Sequence, residues 1–145
     1  MAALECLRPT GATNERASAI SPVRPGARQR EYHRFVLQPI RVGHVVLKVR
    51  DLDRSLAFYR DVLGFRVSSE MSNVMVFLTA TGENHHDLAL LRVGDSAPSP
   101  VPTAVGLYHV AIQLADWDAV KGAHAVLAER GLLRGTADHG VSRSL

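Results

Sequence analysis

The sequence predicts an α+β fold of two βαβββ modules, the second of them incomplete. Three observations predict it. Residues His44-Val-Val-Leu-Lys-Val-Arg-Asp-Leu-Asp-Arg54 recur 65 positions later as His109-Val-Ala-Ile-Gln-Leu-Ala-Asp-Trp-Asp-Ala119, with His, Val and both Asp identical and apolar positions matched by apolar ones. Each copy is followed by an apolar stripe at helical spacing that ends on a glycine, Gly64 in the first and Gly131 in the second. After the first helix come three strand-like runs, whereas only residues 132–145 follow the second. A complete second module needs roughly 25 to 30 residues more. A repeat of this kind sets architecture before any local propensity does. It also puts two histidines at equivalent points of two strands.

The 145 residues are room for one domain with a core of its own. With 46% hydrophobic and 21% charged residues, the composition is that of an ordinary soluble globular protein. A single cysteine, Cys6, excludes an intrachain disulfide framework and points to a reducing cytoplasm. No apolar run approaches the ~20 residues of a membrane span, and residues 1–7 are too short and interrupted for a signal-peptide core. The net charge of +3 invites a nucleic-acid reading, but its distribution opposes one. Residues 1–40 carry six arginines against three glutamates, while residues 41–145 carry eleven basic side chains against eleven acidic ones. The folded part is neutral, so neither nucleic acid nor a membrane is an expected partner.

Residues 1–38, rich in Ala, Arg, Pro, Ser and Gly without a sustained period, read as a disordered basic tail, with the folded domain at 39–145. The arginines are loosely similar to an organelle transit peptide, a reading that three glutamates weaken. Val42 to Val49 is β-branched and apolar, a strand with His44, Val46 and Lys48 on one face and Val45, Leu47 and Val49 on the other. Asp51 or Asp53 caps a helix whose stripe is Leu56, Tyr59 and Leu63, widened by Phe58 and Val62. Gly64 sits where a left-handed C-cap belongs. Strands follow at Phe65–Met71, Asn73–Thr79 and His86–Val93, separated by the turn residues Ser72-Asn73 and Thr81-Gly82-Glu83-Asn84.

The first module therefore spans 41–93, and prolines at 98, 100 and 102 make 94–106 a linker. Within 107–145, Leu107–Leu114 is a strand and Asp116 or Asp118 caps a helix with the stripe Val120, Ala123 and Leu127. Gly131 closes that helix, and Leu132–Thr136 opens the next strand. A second module cut short leaves a strand edge and a core face uncovered. Aggregation is expected unless a partner chain, a second copy in a homodimer included, supplies the missing strands.

The stretches Gly43-His-Val-Val-Leu, Asp51-Leu-Asp-Arg-Ser-Leu-Ala-Phe-Tyr-Arg-Asp-Val-Leu-Gly-Phe65 and Tyr108-His-Val-Ala-Ile112 resemble the vicinal oxygen chelate superfamily. That superfamily includes glyoxalase I, bleomycin- and fosfomycin-resistance proteins and extradiol ring-cleaving dioxygenases. The resemblance covers 41–145 and implies paired modules whose curved sheets cup a metal. His85-His-Asp-Leu-Ala-Leu90 and Asp138-His-Gly-Val-Ser142 are most similar to the catechol 2,3-dioxygenase branch. On that resemblance His44 and His109 match two imidazole ligands of Fe(II) or Mn(II). The glutamate that completes the set would lie beyond Leu145. His86 matches a histidine that assists dioxygen activation and proton transfer, and His139 one that hydrogen-bonds the substrate. The implied ligand is a small aromatic diol.

The chemistry accounts for those residue types. Two imidazoles and a carboxylate on one face of an octahedral ion leave three positions open, two for a catecholate and one for dioxygen. A histidine titrating near neutrality can take and return the catechol proton. In glyoxalase I the last strand of the first module supplies a carboxylate ligand. The matching position here is about Ala89, which cannot bind metal, and Asp87 would need an alignment slip; glyoxalase activity is disfavoured. A fosfomycin-type thiol transferase shares the ligand pattern, and the His85-His86 pair tips the balance toward a dioxygenase. Without the carboxylate, metal binding is expected to be weak. A non-catalytic binding protein and an inactive fragment of the same fold are the alternatives to an enzyme.

Plainer roles stand beside these. His86 also reads as the first residue of a strand, with His85 pointing the other way. His33 in the tail and His124 on a helix read as solvated. Asp51, Asp53, Asp116 and Asp118 read as caps, and Tyr59 and Trp117 as packing residues.

Overall fold

A computed structural model of the chain describes residues 2–7, 39–138 and 142–145. The first element is a strand, β1 (Ala2–Leu7), inside the segment whose composition reads as unstructured. Six residues without a period carry no local signal; this strand exists through its partners. The rest of the tail, His33 included, lies outside the described residues.

The next five elements form one compact unit that ends at Pro102. Strand β2 (Val45–Val49) alternates half-buried and exposed residues as its β-branched sequence dictates. Asp51, in extended conformation, caps helix α1 (Leu52–Tyr59) by accepting the Arg54 N–H at 3.0 Å. The chain keeps turning past Tyr59 until Gly64, whose φ of 80° is the left-handed value that glycine adopts without Cβ strain. There the N–H groups of Gly64 and Phe65 bond the carbonyls of Arg60 and Tyr59, and buried Phe65 enters β3 (Arg66–Met71). A turn with Asn73 at φ 56° leads to β4 (Met75–Thr79), and the Thr79–Leu88 connection leads to β5 (Leu88–Arg92).

The sheet order is β2-β5-β4-β3, with β2 parallel to β5 and the other pairs antiparallel. Val76, Leu78, Leu88 and Leu90 are all buried and alternate along β4 and β5, so they share the face that α1 covers. Burying each contributes about 1.5–3 kcal/mol. The opposite face carries the row Val46, Ala89, Phe77 and Ser69, which are direct partners across the four strands. Val46 on this face is 44% exposed.

The second unit joins β1 to residues from Thr103 onward. Strand β6 (Val110–Gln113) is shorter than the expected Leu107–Leu114, because its partner β1 pairs only from Ala2 opposite Val110. Asp116 caps helix α2 (Trp117–Glu129), accepting the Ala119 N–H at 2.8 Å. Its end is a Schellman turn: Gly131 at φ 66°, with Gly131 N–H to Ala128 O and Leu132 N–H to Leu127 O. The strand expected at Leu132–Thr136 does not form there. It begins instead as β7 (Ala137–Asp138), where its partner β8 (Ser142–Ser144) becomes available. The sheet order is β6-β1-β8-β7. Leu4, Val120 and Leu127 form its buried apolar core with α2. Among the described residues no helix is long and apolar enough to cross a membrane.

Candidate functional site

The site is built on the connection between β4 and β5. Asp87 fixes it: its Oδ2 accepts the Ala80 N–H at 2.9 Å and the Thr79 hydroxyl at 3.2 Å, and its Oδ1 accepts the Asn84 amide at 2.7 Å. Its own N–H bonds Leu78 O, and its carbonyl accepts Val45 N–H. The Ala80 N–H above all, then Asn84 and Thr79, hold the Asp87 carboxyl below the usual carboxylate range against the opposing effect of burial. With both oxygens committed to the turn, Asp87 is a brace and does not stand in for the ligand missing at Ala89.

The braced loop delivers two imidazoles to one place. The His86 ring lies 4.3 Å from that of His44 and 4.9 Å from Phe77, centroid to centroid. His85 does not point the other way. Its ring is 5.5 Å from Phe77, and its Nδ1 is 2.8 Å from His86 Nδ1. The reason is that the strand starts at Leu88, so residues 85 and 86 sit in the loop, where alternation does not apply. One of the two Nδ1 atoms must donate and the other accept, so a single proton is shared between them. The bulge between Val67 and Ser69 in β3 turns Ser69 so that its hydroxyl lies 3.2 Å from His85 Nε2. Burial chiefly, then the neighbouring His44 and His85, hold the His86 imidazole below its ordinary pKa, with Asp87 opposing. The result is an aromatic patch on a solvent-facing sheet surface, holding an imidazole that favours its neutral, proton-accepting form.

Of the sequence-predicted residues, His44 and His86 come together. His109 belongs to the other unit, exposed at the start of β6, with its ring 5.3 Å from Tyr108. His139 lies outside the described residues. Among the described residues no three His, Cys, Asp or Glu side chains are grouped so as to hold a metal ion. Ala89 stands opposite Val46 in β2, and Ala3 stands opposite Ala111, the repeat counterpart of Val46, in β6. At neither of these two register points is there a carboxylate, so the described residues supply no third ligand there.

Phe77, Ser69 and the bracing role of Asp87 were not among the expected site residues. Asn84-x-x-Asp87 after a threonine-rich turn is the signal for the brace. Phe77 is the aromatic of β4 that alternation places on the open face. Trp117, expected to be a packing residue, is 41% exposed and carries the Arg143 guanidinium 4.7 Å from its ring centroid. It lines a cavity of about 430 Å³ with Val120, His124 and Leu145.

Residues 41–144, which include the whole of this loop and sheet, match the model of the Glyoxalase/Bleomycin resistance protein/Dioxygenase superfamily. The chain belongs to that superfamily. This superfamily member is 39% identical over 105 residues to a catechol-2,3-dioxygenase of Bacillus subtilis, covering 72% of the chain and 36% of that protein. It is 37% identical over 101 residues to an iron-dependent extradiol dioxygenase of Rhodococcus jostii, covering 61% and 31%. The chain spans about a third of the length of the curated relatives it matches. Among solved structures, a lactoylglutathione lyase of Agrobacterium tumefaciens aligns with a TM-score of 0.52 at 22% identity, covering 68% of this chain and 77% of that one. That likeness is one of fold alone.

Proposed function

We propose that this chain is an extradiol-dioxygenase-type member of the superfamily whose His44–His86 face recognises a small aromatic diol. The observation that carries the reading is the cluster of His44, His85, His86 and Phe77 rings on an open sheet face. Flat rings stack a flat ring, and a neutral imidazole accepts a phenolic O–H. The dioxygenase names of the relatives support the same ligand class. In this reading His44 and His109 hold the two imidazole positions toward Fe(II) or Mn(II), and His86 and His139 the proton-handling and substrate-bonding positions. Residues 41–93 and 107–145 are then the two modules, joined by 94–106.

Ala89 and Ala3 favour a second reading within the first: binding of the diol without its cleavage. The described residues supply no third ligand, so ring opening is not assigned to them. Their part is to bind the ring and accept a proton at the His86 imidazole. Anaerobic calorimetric titration with catechol tests the recognition, and an oxygen electrode after addition of Fe(II) tests cleavage. Catechol should bind, and His86→Ala should weaken it by about tenfold, equivalent to about 1.4 kcal/mol. Oxygen uptake should not exceed that of free iron. Absence of catechol binding would overturn the diol reading. Ring cleavage that depends on His44 and His109 would overturn binding without turnover and establish an enzyme.

A further inference from the structure

The two sheets have the same plan with one exchange. In the first, the order β2-β5-β4-β3 places the last strand of the module parallel to its first. In the second, the order β6-β1-β8-β7 puts β6, β8 and β7 where β2, β4 and β3 stand, and β1 where β5 stands. The register agrees residue by residue. Val45, Val46, Leu47 and Lys48 face Leu88, Ala89, Leu90 and Leu91. Their repeat counterparts Val110, Ala111, Ile112 and Gln113 face Ala2, Ala3, Leu4 and Glu5. Leu4 thus takes the place of Leu90, and both are buried. On its other side β1 runs antiparallel to β8, as β5 does to β4, and the Leu145 N–H bonds Leu4 O at 3.0 Å.

From this correspondence we infer that the gap between β6 and β8 is a strand-accepting site and that its occupant is the chain's own Ala2–Leu7 segment. A segment 108 positions from its partner (Leu4 to Ile112) takes, in this sheet, the place that β5 takes in the first. The recognition is that of an added β-strand. Main-chain bonds to both neighbours hold it, and one apolar side chain at the fourth residue seats it in the core.

The chain's single cysteine allows a direct test in the full-length protein. Cys6 is the antiparallel partner of Arg143, and directly opposed residues have Cα atoms about 4.5–5.5 Å apart, inside the range a disulfide spans. Oxidised Arg143→Cys should become an intrachain disulfide in a monomer, with both thiols lost to alkylation. Lys121→Cys, on the helix, should keep its thiols. Free thiols in Arg143→Cys, or cross-links found between copies only, would overturn the assignment. Hydrogen exchange keeps the test sharp if that variant misfolds. Leu4→Asp should speed exchange at the Leu145 amide at least tenfold while leaving the β5 amides unchanged. Unaltered exchange at Leu145 would equally overturn it.

Discussion

Replacing Asp87 by Asn tests whether the loop that carries His85 and His86 is held by one carboxylate. The wild-type carboxylate accepts three bonds, from the Ala80 N–H, the Thr79 hydroxyl and the Asn84 amide. An asparagine keeps one oxygen for the Ala80 and Thr79 side and turns an NH₂ toward the Asn84 NH₂, so one bond is lost and the other two lose their charge assistance. Hydrogen bonds to charged groups contribute about 1.5–3 kcal/mol and neutral ones about 1. The site is only partly buried, so the lower values apply, and the expected loss is about 1.5–2 kcal/mol. For a chain of this size that is a fall in Tm of about 3–8 °C, read by circular dichroism at pH 7.

The pH dependence has a definite sign. The folded carboxyl lies below its unfolded value, so its contribution is complete above the unfolded carboxylate pKa of about 3.9 and is lost as pH falls through the folded one. The gap in Tm between wild type and Asp87→Asn should therefore narrow below about pH 4 and close in stronger acid. Equal Tm values at pH 7, or a gap that persists undiminished in acid, would refute the brace.

Two further substitutions test the frame that positions the site. Leu78 is fully buried under α1, so Leu78→Ala should cost about 2–5 kcal/mol in urea unfolding; a cost below 1 would mean the β4–β5 core is not packed as described. Asp116→Ala removes the cap on the Ala119 N–H and should cost about 1 kcal/mol, with faster hydrogen exchange confined to the first turn of α2.

What the sequence discloses divides along local and non-local physics. Both helix starts are legible to within the pairs Asp51/Asp53 and Asp116/Asp118, and Gly131 marks the turn that ends α2, because these residues act through bonds within a few positions of themselves; α1 stops at Tyr59, short of Gly64, which instead turns the chain into β3. Strands β3 to β5 are legible for a related reason: short connections such as the turn at Asn73 put consecutive strands side by side, whereas β2 is legible by its β-branched alternation and not by its parallel partner β5. The convergence of His44 with His86 is half legible. The repeat marks His44, but only the Asp87 brace, which is a tertiary bond pattern, shows that His85 turns to the same side. Strand β1 is illegible, since its six residues gain their conformation wholly from partners over a hundred positions away.

That last strand separates two requirements. A sheet position asks for extended backbone on both sides and one apolar side chain facing the helix, and Ala2–Leu7 meets both through its ladder and Leu4. A metal centre asks in addition for a carboxylate at one register point, and there the segment offers Ala3. Hydrogen-bond ladders are nearly blind to side chains, whereas ligation depends on one. A place in a sheet can therefore be filled by a segment from elsewhere in the chain that brings no carboxylate to that register point.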